Sequence, residues 1–273
     1  MPESVLITGC SEGGIGPALV ESFHAAGLHV YATARSRAKM ARLEGLANVT
    51  LLELDVVSQS SIDAAVEVVR KETGTLDILV NNAGINMFKP VLDVSVDEGK
   101  RVFDVNVWGV AAMTQAFAPM LVAASGTVVN VSSIAGCLPA PWTGLYNASK
   151  AALIAYSETL RLEMAPFQVK VMTLVTGAVA ITTVPQGDIE LPSNSLYHKV
   201  AGVLRRRRAF EDVPSRTPLA EYADTVVKNT LCGASGTVWT GAMASTTWFA
   251  TRFMPSWILD WFLGSRSGMD LLP

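Results

Sequence analysis

Short apolar runs bounded by turn residues alternate along this chain with longer stretches in which apolar positions recur every three or four residues. The short runs read as buried strands at 4–8, 28–34, 49–54, 76–80, 126–131 and 169–174. The longer stretches read as helices at 15–26 (ending at Gly27), 61–71, 97–122, 146–164 and 220–231. Strands apolar on both faces, alternating with helices, imply right-handed crossovers and a parallel sheet covered on both sides. The expected fold is therefore α/β: a Rossmann-type three-layer sandwich with a central, mostly parallel, doubly wound sheet, built from residues 1–273 as one domain. Ligands of such sheets bind beyond the carboxyl ends of the strands, so the residues that follow each strand are the candidates.

Two segments leave this rhythm. From 177 to 217 the periodicity fades and Pro185, Pro192 and Pro214 punctuate the chain. A substrate-covering lid is expected there, with an ordinary surface insertion as the rival reading. Residues 239–273 are rich in large apolar side chains: Trp239, Trp248, Phe249, Phe253, Met254, Trp257, Ile258, Leu259, Trp261, Phe262 and Leu263. Arg252 and Asp260 interrupt them, and no uninterrupted apolar stretch of the chain reaches the roughly 18 residues of a membrane span. This extension is expected to cover a pocket or pack on another subunit; peripheral contact with a lipid surface is the second reading.

Composition narrows the function classes. Half of the 273 residues are hydrophobic, only 16% are charged and the net charge is -3, which argues against a nucleic-acid partner. Cys10, Cys137 and Cys232 are odd in number and widely spaced, and with three histidines they suggest neither a disulfide framework nor a metal site. Small buried thiols in a cytoplasmic protein are the expectation. The one charge run, four arginines at 205–208, reads as a contact with a phosphate headgroup or an anionic membrane surface, or as a solvated helix face.

The chemistry begins at Thr8-Gly9-Cys10-Ser11-Glu12-Gly13-Gly14-Ile15-Gly16, between the first strand and the first helix. Glycines let a backbone turn tightly against a pyrophosphate, and the helix N-terminus offers unpaired N–H donors. Gly9, Ser11, Gly14 and Ile15 are the expected contacts; a structural turn is the rival reading. The second strand ends at Arg35. An acidic residue there suits the ribose hydroxyls of NAD, whereas an arginine, with Ser36 and Arg37 nearby, suits the 2′-phosphate of NADP(H). Asn81-Asn82-Ala83-Gly84 follows the fourth strand, and its small residues suit close packing beside a cofactor ribose.

Tyr146 and Lys150 stand four apart on a predicted helix and share one face. A tyrosine titrates near about 10 and is a poor proton shuttle at neutral pH. A neighbouring ammonium favours the phenolate and is expected to lower that value, so Tyr146 could protonate a carbonyl oxygen as hydride arrives, or deprotonate an alcohol in reverse.

Taken in order, these motifs resemble those of the short-chain dehydrogenase/reductase family: TGxxxGxG (here with one extra residue, Gly13 or Gly14 taking the middle place), NNAG and YxxxK. The resemblance implies further roles. Ser133, thirteen residues before Tyr146, orients the substrate oxygen, with Ser132 as its neighbour. Asn106 holds a water on the proton path to Lys150, which also binds the nicotinamide ribose. Asp55 contacts the adenine; Asn82, Ala83 and Gly84 line the ribose. Where the family has PGxxxT, this chain has Thr176-Gly177-Ala178-Val179-Ala180-Ile181. Gly177 and Val179 are expected at the nicotinamide, with Thr182 or Thr183 replacing the missing threonine. The stretches at 191–197 and 218–223 are similar to a fungal and yeast branch, the NADPH-dependent 1-acyldihydroxyacetone phosphate reductases. The family further implies a homodimer or homotetramer built on the helices around Asn106 and Tyr146. The expected activity is NADP(H)-dependent reduction of an apolar ketone, or oxidation of the alcohol. The ketone is natural-product-like (polyketide-like, as in fungal secondary metabolism) or lipid-like, with the acyl-dihydroxyacetone phosphate as an alternative. A non-redox enzyme or an NADP(H)-binding scaffold or sensor on the same fold is the remaining reading.

Overall fold

Val5 and Ile7 of β1 (Ser4–Ile7) face one apolar layer, and Leu6 between them faces another. That alternation, with every side chain buried, makes β1 a central strand of a sheet covered on both faces. The computed structural model describes residues 3–182, 189–213 and 215–273. Thr183, Pro185 and Pro214 lie outside the described residues. After β1 come α1 (Ile15–Ala25), β2 (His29–Ala34), β3 (Val49–Glu53), α2 (Gln59–Glu72), β4 (Ile78–Asn81), α3 (Val96–Phe103), α4 (Gly109–Ala124) and β5 (Thr127–Ser133). Then follow α5 (Gly144–Met164), β6 (Lys170–Thr176), α6 (Ala201–Arg208), α7 (Leu219–Leu231), β7 (Gly236–Thr240), α8 (Ala244–Phe253) and α9 (Ser256–Ser265).

The seven strands pair in the order β3-β2-β1-β4-β5-β6-β7, every pair parallel, which is a doubly wound, Rossmann-type sandwich. One layer packs α1 and α7 on the sheet through Leu19, Phe23, Tyr222 and Val226; the other packs α2 and α4 through Ile62, Val69, Phe117 and Leu121. Each such side chain contributes about 1.5–3 kcal/mol by leaving water. The strand order reverses between β1 and β4, and the crevice above that switch point is where such sheets take ligands.

Two expectations need correction. The helix expected at 97–122 is two helices joined by a wider π-helical turn, Asp104–Trp108, which periodicity does not reveal. By length and composition alone the whole rod Val96–Ala124 could cross a membrane, although no uninterrupted apolar stretch within it reaches about 18 residues. Its side chains Met113, Phe117 and Leu121 are fully buried in the domain core. Finally, β7 went unanticipated: it is an edge strand opened by Gly236, and its Trp239 had been read as part of the apolar extension.

Candidate active site

A cavity of about 790 Å³ opens over the carboxyl ends of β1, β4, β5 and β6. At one end the turn after β1 is locked to the loop after β4. Thr8 Oγ1 accepts the N–H groups of Asn82 and Ala83 at 3.0 and 2.9 Å, and Asn82 Nδ2 donates to the carbonyls of Thr8 and Gly9 at 2.8 and 3.1 Å. Gly9 has φ +75°, and a Cβ there would sit 2.8 Å from the Ala83 Cα, so only glycine fits. A Cβ on Gly16 would lie 2.5 Å from the Gly9 carbonyl oxygen. Gly14, at the N-cap of α1, carries no side-chain cap, so the first amides of the helix stay available to a ligand. Gly14 lines this cavity, together with Gly9, Ser11 and Ile15; Gly13 lines a second, outer groove instead. Cys10 points away into the core, where burial pushes its thiol up to about 12.

Arg35 is exposed at the end of β2 and lines the cavity. Arg37 does not: it pairs outward with Glu44 at 3.2 Å. Asp55 lines the cavity while one carboxylate oxygen caps the Val57 N–H at 3.2 Å. Asn82, Ala83 and Gly84 form the next stretch of wall.

Ser133 and Tyr146 both line the cavity, with the Ser133 hydroxyl close enough to favour the Tyr146 phenolate. Ser133 is the last residue of β5, and its Oγ also caps the Ala135 N–H at 3.1 Å. Ser132 also lines the cavity, but its hydroxyl is committed to the Lys150 carbonyl at 3.0 Å. Lys150 is buried one turn along α5 from Tyr146, and its Nζ donates to the Val131 carbonyl at 2.8 Å. Burial raises the Tyr146 phenol above its ordinary value, with the Ser133 hydroxyl opposing the rise. Burial also pushes the Lys150 ammonium down to about 8. The expected lowering at Tyr146 is thus reversed in the protein alone. The ammonium lies 5.8 Å from the ring centroid, and desolvation of the phenol outweighs it.

Two expected residues are not brought to the cavity surface. Asn106 sits fully buried in the π-helical turn behind Gly84. Its Oδ1 accepts the Ile85 N–H at 2.9 Å, and its Nδ2 donates to the Ile85 carbonyl and to Ser149 Oγ, each at 3.0 Å. The carboxamide ties the loop after β4 to α5 and makes no bond to Lys150. Thr182 places both its N–H and its hydroxyl on the Gly13 carbonyl, at 3.0 and 3.5 Å, and lines the outer groove, whereas Ile181 lines the cavity. Gly177 and Val179 do line it. A Cβ on Gly177 would come 2.0 Å from the Ala242 carbonyl oxygen, and Thr176, in the place of the usual proline, shares a 2.7 Å hydrogen bond with buried Tyr222.

The other end of the cavity was not foreseen residue by residue. Phe88, Leu138, Phe210, Met243, Phe262 and Leu263 wall it, drawn from five separate segments. The arginine run divides: Arg205 and Arg206 are exposed, while the Arg207 side chain is only 14% exposed and enters the wall. Its guanidinium donates to the carbonyls of Pro141 and Arg266, at 3.2 and 3.4 Å, and pairs with Asp212 at 3.1 Å. Next to it the Trp142 indole donates to the Ser267 carbonyl at 2.9 Å. Trp142 holds φ +71°, a strained backbone for an aromatic residue, in the loop that leads into Tyr146. The aromatic content of 239–273 signalled a role here, but spacing gives no means of choosing Phe262 over Trp261.

Comparison with known proteins gives the family. The short chain dehydrogenase family model matches residues 3–190. The short-chain dehydrogenase ptmH of Penicillium ochrochloron is 46% identical over 268 residues, 98% of each chain. The NADPH-dependent 1-acyldihydroxyacetone phosphate reductase of Schizosaccharomyces pombe is 42% identical over 226 residues, 81% of this chain and 75% of that one. Among solved structures, a short-chain dehydrogenase from Streptomyces avermitilis superposes with a TM-score of 0.80 at 28% identity, over 97% of this chain and 98% of the other. By sequence and fold alike, the chain is an oxidoreductase that belongs to the short-chain dehydrogenase/reductase family.

Proposed function

We propose that this protein uses NADPH to reduce the carbonyl of a bulky, largely apolar ketone, and oxidises the corresponding alcohol in reverse. The observation that carries the reading is the pair of hydroxyls, Ser133 and Tyr146, that lines a cavity with two unlike ends, one of glycine turn and arginine, the other of phenyl rings and leucines.

The residues present fit the cofactor. Gly9 leaves no room for a side chain where the β1 turn meets Ala83, and the uncapped start of α1 at Gly14 suits a pyrophosphate. Arg35 has no carboxylate partner among the described residues and suits a 2′-phosphate, with Asp55 on the adenine side. Asn82, Ala83 and Gly84, then Tyr146 and Lys150, would follow the nicotinamide ribose, and Gly177 and Val179 the nicotinamide. When bound, NADPH supplies the hydride. Ser133 holds the substrate oxygen, and the Tyr146 phenol gives it a proton. A phenol that burial keeps neutral is the form that reduction needs. The Lys150 ammonium, pushed down to about 8 by burial, stands beside the phenolate that results and stabilises its negative charge. Asn106 acts by holding the Ile85 loop and α5 in register. The segment 189–213 and the stretch around Phe262 and Leu263 enclose the ketone's apolar body.

The yeast relative's name supports a narrower reading, an acyl-dihydroxyacetone phosphate as substrate, while the ptmH-type relatives leave the ketone open. The deciding experiment follows NADPH and NADH oxidation by purified protein with neutral polyketide-type ketones and an acyl-dihydroxyacetone phosphate, with Tyr146→Phe as control. NADPH-selective turnover lost in the variant is the expected result. Folded protein that binds NADPH yet reduces no ketone would sink the reading in favour of a scaffold or a non-redox enzyme.

A further inference from the structure

The apolar end of the cavity carries positive charge that carbonyl reduction does not need. Three arginines line it, Arg207, Arg216 and Arg266, against one acid, Asp212. Arg207 is committed, being ion-paired with Asp212 and bonded to two main-chain carbonyls. Arg216 lies over the Phe210 ring, 5.6 Å from its centroid, and bonds the Phe210 carbonyl. Arg266 lies over the Phe262 ring at 4.9 Å. Neither has a carboxylate partner among the described residues. The remaining charged groups of the lining, Arg35, Asp55 and Lys150, stand at the proposed cofactor and reaction centre.

A guanidinium laid on a ring face has already lost much of its side-chain freedom; Arg266 keeps its in-plane N–H edge for an anion, and Arg216 keeps N–H groups besides the one on the Phe210 carbonyl. Both supporting rings themselves line the cavity, so one ligand can touch the ring with its apolar body and the guanidinium with its charge. We infer that the substrate is an anion: a ketone whose apolar body lies against Phe88, Phe210 and Phe262 and whose carboxylate or phosphate is held by Arg216 and Arg266. This rests on the proposed reduction and adds the charge class of its substrate. An arginine–oxyanion contact of this kind changes affinity by about 10- to 100-fold.

The test uses one ketone skeleton ended in three ways: a carboxylate, a phosphate monoester and a neutral carboxamide. NADPH oxidation gives kcat/KM for each, in the wild type and in Arg216→Gln, Arg266→Gln and the two lysine variants. The expected result is a charged-to-neutral ratio of at least about tenfold, residing in KM and falling with added salt. Each glutamine variant lowers that ratio about tenfold, the lysine variants restore part of it, and the Kd for NADPH stays constant. A larger effect for phosphate identifies a phosphorylated ketone and for carboxylate a keto acid; both uphold the site. Equal kcat/KM for charged and neutral ketones overturns it, as does a glutamine variant that weakens NADPH instead, which would assign the arginine to the cofactor. Calorimetric titration of the same three compounds into the NADP⁺ complex separates the two claims. Charge-dependent binding without turnover defeats the reductase reading and leaves the anion site standing; charge-blind binding defeats the site.

Discussion

Lys150 and Tyr146 stand one helical turn apart on α5, yet the Lys150 Nζ bonds the Val131 carbonyl at 2.8 Å and lies 5.8 Å from the centroid of the Tyr146 ring. The lysine is therefore anchored to the sheet rather than to the phenol, in a place where its charge is poorly hydrated. Its affinity for a proton falls from 10.5 to about 8 on folding. Below pH 8 both folded and unfolded chains are protonated, and the buried charge costs about 3 kcal/mol. Between 8 and 10.5 only the unfolded chain holds the proton, so this residue's contribution to stability rises with pH. Lys150→Met should be more stable than the wild type at pH 7 in urea unfolding, and the gap should close by about 3 kcal/mol at pH 10.5. A gap that ignores pH would show that the ammonium is well solvated.

Tyr146→Phe removes the proposed proton donor while leaving the ring in place. It should lower kcat by about 100- to 10,000-fold with the Kd for NADPH little changed. Ser133→Ala should lower kcat as well, since it removes the hydroxyl proposed to hold the substrate oxygen beside the Tyr146 phenol. Steady-state rates and cofactor fluorescence titration check both.

Arg35→Glu should invert cofactor choice. A carboxylate repels the 2′-phosphate and accepts the two ribose hydroxyls of NADH, so the NADPH-to-NADH ratio of kcat/KM should drop by about 100-fold or more. An unchanged ratio would place the 2′-phosphate elsewhere.

Gly177→Ala drives a methyl group to 2.0 Å from the Ala242 carbonyl oxygen and forces β6 and the strand-end loop after β7 apart. Thermal unfolding should show a loss of about 3 kcal/mol or more. Gly202→Ala, where a Cβ meets nothing within 4 Å, should hold or slightly raise stability, by up to about 1 kcal/mol.

Six of the strands and the cofactor end were legible because their signals are local. A strand buried on both faces must be apolar throughout, and a close approach such as that of Gly9 to Ala83 must be glycine. The Tyr146–Lys150 spacing was legible for the same reason. The π-helical turn around Asn106 was hidden because it changes hydrogen bonding without changing hydrophobic rhythm. The short edge strand β7 was hidden because its pattern of exposed Thr237 and buried Thr240 breaks the apolar run that marks the central strands. The direction of the Tyr146 shift was misjudged because spacing reports a neighbour's charge and says nothing of desolvation. The substrate wall was hidden because Phe88, Arg207, Phe262 and Arg266 become neighbours only through the fold.

The bond from the Trp142 indole to the Ser267 carbonyl joins positions 125 residues apart. Closing a loop of that length demands that the intervening strands β6 and β7 be in place first. During refolding the glycine turn and its β4 partner close a span of 74 residues, shorter than the 125 that the wall around the ketone spans, so the wall should form later. The protein thus acquires its two halves at different times: competence to hold a dinucleotide precedes the ability to discriminate among ketones, and a stopped-flow refolding experiment would see cofactor binding recover in a faster phase than turnover.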